Sequence, residues 1–561
     1  MKKFSKKLIS VLLTVLMIVS IAVPASAAGL PYKMYCNDPV IYIAGDSGDI
    51  YYDNDTKTFR IDDLFSSDDS EESDNSKIYE ATANILLPFI LEGIAMDKWD
   101  NYYAAVEKEI GDLFEPIRLD CNGNVPEGSD SGIGQTAKNK REYNMTHDLK
   151  SSNGLYEERA YYYSYDWRLD PIELADDLHE YIEGVKQATG RKKVLITTKC
   201  LGTNVVLAYL NKYGTDSIKG LGIDAATSNG ADFLSGAISG DFGLDGHGIV
   251  RLLKDVEVFY GFKLSPIITA TLELLVNTGV MDKMTDTARE LIYEKVEYGI
   301  ISALATGTFM TFPCYWALVS VDDFDDALVY AFGEEGSAKR KQYAGLISKI
   351  SVYNETIKKN VNNILLSTQE AETEEEKVNL CLLSKYGSQL VPIVQDSSVL
   401  GDMFVSAKNS SFGATTSTVY DTLSDEYIQM RKDEGKGKYI SPDKQIDAST
   451  ALFPDYTWFI KGCEHGSYSP NEIKLILTVI DADRQLTVDD FDWTQFIMYN
   501  VEDRSFEPMT EDNCHDINWT TDEEFEKPQT KHDKIKTLVI SLIKWVKVIF
   551  SELIAKIKSI G

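Results

Sequence analysis

Short apolar runs closed by turn residues alternate with stretches of helical period along the first part of the chain. Residues 40–44 form one such run, after Pro39 and before Gly45-Asp46-Ser47-Gly48, the pattern of a buried strand ending in a tight loop. Residues 161–165 predict a second strand, which leads through Asp166-Trp167-Arg168 into a helix. That helix has Pro171 early, carries Leu174, Leu178, Tyr181, Ile182 and Val185 on one face, and stops at Gly190. Residues 194–198 predict a third strand, followed by Lys199-Cys200-Leu201-Gly202-Thr203 and a helix over about 204–213 that Gly214 terminates; residues 218–223 predict a fourth strand. Strands alternating with helices of this length imply an α/β fold: a mostly parallel sheet, helices on both faces, and sites at the carboxyl ends of the strands.

The pattern changes twice. Residues 49–155 interrupt the alternation with an insertion that includes a Ser-rich acidic stretch, residues 66–74, and read as a lid within a core of 28–226. From 227 to 439 the periodicity is mainly helical, as over 285–305, with an acidic run at 370–376, and this segment reads as a large cap; the core resumes over 440–530. Residues 531–561 then predict an amphipathic helix whose apolar face carries Leu538, Leu542, Trp545, Ile549, Leu553 and Ile557. Seven lysines there oppose only Asp533 and Glu552, so the tail suits an anionic membrane surface or an apolar groove of its own protein.

At the other end, Lys2, Lys3, Lys6 and Lys7 precede an apolar run over 8–23 and Ala25-Ser26-Ala27, the order of a signal peptide spanning 1–27. A secreted or cell-surface protein is expected. The net charge of −32 makes nucleic acid an unsuitable partner, while 31 Tyr and 22 Phe supply a large packed core. Seven cysteines, an odd number, leave at least one thiol unpaired. None sits in a CxxC spacing, and the calcium-like run Asp481, Asp483, Gln485, Asp492 has Leu486 where glycine is required, so no metal or cofactor is expected.

One cysteine stands where chemistry would be placed. A strand, a sharp turn and a helix expose the turn's side chain in front of a helix N-terminus, and here that turn reads Thr198-Lys199-Cys200-Leu201-Gly202 in place of GxSxG. A thiolate can do serine's work on a carbonyl carbon, favoured by the helix dipole and Lys199. The plain alternative is a buried structural thiol.

Three segments resemble the lecithin:cholesterol acyltransferase family of α/β-hydrolases. Residues 39–48 are similar to its first strand and oxyanion loop, Tyr165-Asp166-Trp167-Arg168 with the Pro171 helix to a diagnostic segment, and Lys199-Cys200-Leu201-Gly202-Thr203 to its His-Ser-Met-Gly-Gly. The resemblance implies an α/β-hydrolase fold with a large helical cap, and acyl hydrolase or acyltransferase chemistry on esters, lipids above all, in a lipase-like manner. It also implies the order nucleophile, acid, histidine, which leaves His247, His465, His515 and His532 as bases. His465 follows a strand candidate at 457–460 and is the choice. Residues 443–451 resemble the family's acid loop in a register that selects Asp443, with Asp447 as competitor. Backbone N–H groups of Leu201 and of Asp46, or Ser47, would stabilise the oxyanion.

The expectation is therefore a Cys200–His465–Asp443 triad forming an acyl-enzyme on a lipid or other ester. A non-catalytic exported binding protein on a hydrolase scaffold is the alternative. A thiol peptidase ranks last for want of the local cysteine signatures.

Overall fold

The computed structural model describes chiefly residues 38–45, 98–126, 160–241 and 307–514, with short pieces elsewhere between 36 and 252. The expected signal peptide, Asp46 and Ser47, most of the lid, residues 285–305 and the amphipathic tail lie outside the described residues. Among the described residues, no helix is long and apolar enough to cross a membrane.

Eight strands form one sheet: β1 (Val40–Ile43), β2 (Ala160–Tyr163), β3 (Val194–Lys199), β4 (Ile218–Asp224), β5 (Asn379–Tyr386), β6 (Thr457–Lys461), β7 (Phe496–Asn500) and β8 (Ser505–Pro508), in the order β8-β7-β6-β5-β4-β3-β1-β2. The pairings are parallel except for β7 with β8, which is antiparallel. The chain is thus an α/β protein with a mostly parallel sheet.

Side-chain alternation sorts the sheet residues onto two buried faces. Ile41, Ile43, Tyr161, Tyr163, Ile196, Leu221, Ile223, Leu380 and Leu382 share one core with helices α1 (Pro171–Thr189) and α2 (Gly202–Tyr213). α1 begins where Asp170 accepts a hydrogen bond from Ile172 N, with Pro171 in its first turn, and ends at Gly190 in the left-handed conformation (φ 68°). Val40, Tyr42, Leu195, Cys381, Leu383, Trp458 and Ile460 face the other way, against helix α5 (Pro470–Ile480). There α5 runs so close to β4 that a Cβ on Gly220 would stand 2.2 Å from the Ile480 carbonyl oxygen, so only glycine fits.

The sheet also corrects the reading of the cap. β5 falls inside the segment assigned to it, yet stands between β4 and β6 in the middle of the sheet, so the core resumes at Asn379 and not at 440. The cause is compositional: β5 is buried along its whole length but contains Ser384 and Lys385, and it follows the acidic run, so it does not read as a core strand. Between β4 and β5 the described residues are mainly helical, through α3 (Asp232–Ser239) and α4 (Ala344–Thr356), whose Tyr353 hydroxyl donates to Asn204 of α2 (3.0 Å).

From β1 the chain runs outward to the edge strand β2, whereas β3, β4, β5 and β6 progress in the opposite direction. The carboxyl ends of β1 and β3 therefore flank the point where the winding reverses, the place where a sheet of this kind opens a crevice.

Candidate active site

Cys200 stands at that reversal. It directly follows β3, its N–H donates to the Asp224 carbonyl (3.2 Å), and Leu201 caps the start of α2. Its φ of 49° is left-handed, a conformation that costs a non-glycine residue on the order of 1 kcal/mol and is characteristic of a side chain thrust outward at a strand-to-helix bend. The residue is half-buried, where Cys36, Cys314, Cys381, Cys463 and Cys514 are buried; none of the seven cysteines is in a disulfide.

Gly45, just beyond β1, approaches from the neighbouring strand. A Cβ there would lie 3.1 Å from Cys200 Cβ and 3.6 Å from its sulfur. The Tyr165 hydroxyl fixes this backbone by donating to the Gly45 carbonyl (2.9 Å). Next to Tyr165, Asp166 and Arg168 form a bidentate pair (2.9 and 2.6 Å), and Arg168 also donates to the Ile117 carbonyl (2.7 Å). Asp-Trp-Arg is thus a buried brace under the site. Leu201 lies at the helix N-terminus, where N–H groups lack intrahelical acceptors.

His465 lies in the loop after β6 with its imidazole beside the Cys200 thiol, which is one of the groups that push its pKa up. Its Nδ1 is 2.8 Å from Asp402 Oδ2, so the sulfur falls to Nε2. Asp402 is fully buried in a turn whose next residue, Met403, has φ 83°; Phe404 N (3.2 Å) and Val405 N (2.9 Å) donate to its Oδ1. Burial disfavours both charged forms, but each group outweighs this for the other. Asp402 is held below the ordinary carboxylate range, and the Asp402 and Cys200 neighbours push His465 up to about 10. The Phe404 ring packs at 5.3 Å from the imidazole.

The structure brings Cys200 and His465 together and gives the acid's place to another residue. Asp443 accepts from Lys461 (2.8 Å) and Tyr386 (3.1 Å) at Oδ2 and from Ser441 (2.5 Å) at Oδ1, and Asp447 pairs with Arg431 (2.5 Å) and Tyr427 (2.8 Å). Both carboxylates are committed to cationic or hydroxyl partners, so neither orients the imidazole. Asp402 escaped sequence reading because it lay in the supposed cap. Its signal is an acid set in the apolar stretch Val399-Leu400-Gly401-Asp402-Met403-Phe404-Val405, after a core strand, in the order nucleophile, acid, histidine.

No protein-family model matches the chain, and no curated protein matches it. A chain in a solved structure described as "The crystal structure of Tle4-Tli4 complex" is similar over 62% of this chain and 74% of that one, at 11% identity and a TM-score of 0.23. Similarity that slight carries no argument, and the reading of the site rests on its own geometry.

Proposed function

We propose that the protein is a cysteine-dependent acyl hydrolase or acyltransferase on an α/β-hydrolase scaffold, with Cys200 as nucleophile, His465 as acid and base, and Asp402 as the group that orients His465. The juxtaposition of Cys200, at a left-handed strand-to-helix bend, with an imidazole that Asp402 holds by a hydrogen bond carries this reading. Sulfur attacks the substrate's carbonyl carbon while His465 holds the thiol's proton. Charge developing on the carbonyl oxygen is met by the Leu201 N–H, with Asp46 or Ser47 N–H as the expected second donor. The tetrahedral adduct collapses as the carbon–oxygen bond to the alcohol breaks, and His465 returns its proton to that alcohol. His465 then takes a proton from water or an acceptor alcohol, which attacks the thioester and frees Cys200.

Esters are the substrate class, and lipid esters the expectation from the resemblance; secretion and membrane contact through the tail belong to the same proposal. The test is turnover of short- and long-chain acyl esters by the full chain and by its Cys200→Ala, His465→Ala and Asp402→Ala variants. Loss in all three supports the mechanism. Undiminished turnover in Cys200→Ala overturns it.

A further inference from the structure

On the α5 side of the sheet, Lys199 and Asp224 are register partners on β3 and β4, and Lys385 stands beside them on β5. Period-two alternation places Gly220, Gly222 and Asp224 on one face, and the Ile480 and Ile476 contacts of the two glycines lead along α5 to Glu472 opposite Asp224. Lys385 Nζ lies 3.0 Å from Asp224 Oδ2 and 2.7 Å from Glu472 Oε1; Lys199 Nζ is 3.5 Å from Asp224 Oδ2. All four side chains are at least nine-tenths buried.

Their shared target is Ser467. Both ammoniums, Lys199 and Lys385, donate to its backbone carbonyl, while Glu472 Oε2 accepts from its hydroxyl (2.9 Å) and from Ser469 N (2.5 Å). Ser467 is two residues from His465, and Lys199 precedes Cys200. Cys463 is buried beside the same group, and burial pushes its thiol pKa well up.

Buried ion pairs are often replaceable by apolar residues of similar volume without loss of stability, so a cluster of four ionisable side chains invites a role beyond holding the fold. We infer that Lys199, Asp224, Lys385 and Glu472 form a positioning device that clamps the His465 loop to the Cys200 bend through the Ser467 carbonyl and thereby sets the distance over which sulfur and imidazole exchange a proton. The lysines replace nothing at the reacting atoms; they act through His465. Two positive and two negative side chains keep the device neutral, so removing one leaves an uncompensated buried charge. Burial works against Glu472's charge, but Lys385 and Lys199 bring it down to about 2, so the carboxylate persists across the neutral range.

The inference rests on the proposed pairing of Cys200 with His465, and its test is read without substrate. Iodoacetamide alkylation of Cys200, followed by peptide mapping of the full chain, is measured at pH 7 and pH 10 alongside thermal melts. The double variant Lys199→Met/Asp224→Asn keeps the cluster neutral, leaves the Lys385–Glu472 pair, and is expected to fold. Its alkylation at pH 7 falls about tenfold while the pH 10 rate, where hydroxide can take the imidazole's place as proton acceptor, stays near the parent's. A folded double variant with the parent's ratio of rates overturns the inference. Should that variant not fold, the isosteric Glu472→Gln decides: a lowered ratio supports the clamp and an unchanged one overturns it. Ester turnover that survives Cys200→Ala would instead remove the proposed function, whatever the alkylation ratio.

Discussion

Asp402 and Asp443 are built alike and do different things. Each is a buried carboxylate followed by a left-handed residue, Met403 (φ 83°) in one case and Lys444 (φ 59°) in the other. Each accepts backbone N–H bonds at Oδ1: Phe404 and Val405 donate to Asp402, Gln445 to Asp443. The difference lies in what β6 offers to Oδ2. Lys461, the strand's last residue, meets Asp443 at 2.8 Å, and His465, farther along the loop, meets Asp402 at 2.8 Å. An ammonium neutralises a carboxylate and the chain of interactions ends there. An imidazole has a second nitrogen, and passes the influence of its carboxylate on to sulfur. A tight acidic turn is thus common to a structural pair and a candidate catalytic one, and only the partner tells them apart.

Breaking each pair should give the largest contrast. Asp402→Asn leaves His465 without the acceptor that fixes its tautomer, and kcat/KM toward an acyl ester should drop about a thousandfold or more. Asp443→Asn should leave kcat/KM within a small factor of the parent's while costing about 1–3 kcal/mol of stability, because Lys461 loses its buried counter-charge. Steady-state kinetics with denaturant unfolding separates these outcomes. Equal activity losses in two equally folded variants would abolish the distinction.

The parts of this architecture legible in the sequence are those whose signals are local. β1 with its Gly45 turn, α1 between Pro171 and Gly190, and the bend at Cys200 each depend on an apolar run and its bounding residues, and His465 followed from chain order after a strand. What was not legible depends on pairing across the sheet. Lys385 in β5 has the look of a surface residue until Asp224 and Glu472 are seen on either side of it. Asp443, with Asp447 as its competitor, follows from the likeness of residues 443–451 to an acid loop, which is read along the chain, whereas the direction of the Asp402 carboxylate toward a loop 63 residues away is not.

Acid and alkali should sharpen the comparison through stability. His465 has a folded pKa of about 10 against an ordinary 6.5, so its bound proton contributes stability that is complete below about pH 6.5 and is lost as pH rises toward 10. The parent's advantage over His465→Gln, read as the difference in unfolding free energy, should therefore shrink by a few kcal/mol across that window. Asp443 is shifted the other way, held below the ordinary carboxylate range by Lys461, hydrogen bonds from Ser441 and Gln445 outweighing burial. Its contribution is present above the ordinary carboxylate value and is lost as pH falls beneath it, so the parent's advantage over Asp443→Asn should stay level from pH 6.5 to 10 and decline in acid. A His465→Gln difference that does not change between pH 6.5 and 10 would contradict the charge state assigned to the imidazole.

The smallest effects should divide most cleanly between activity and stability. A methyl group on Gly45 would sit 3.1 Å from Cys200 Cβ, a gap that closes only if one backbone yields by a few tenths of an ångström. Displacement of that order at the reacting sulfur should cost about tenfold in kcat/KM, with a melting temperature close to the parent's, because Gly45 is not held in a left-handed conformation. On the other side, Ser441 donates to Asp443 at 2.5 Å and accepts from Gln445 N (3.0 Å) and Ile446 N (2.9 Å), so Ser441→Ala strips a buried turn of its organiser. That change should lower stability by about 1–2 kcal/mol and leave kcat/KM at the parent's value. If Ser441→Ala instead reduced turnover while Gly45→Ala did not, the reacting centre would lie on the Asp443 side of β6, and the Cys200 crevice would be a bend without chemistry.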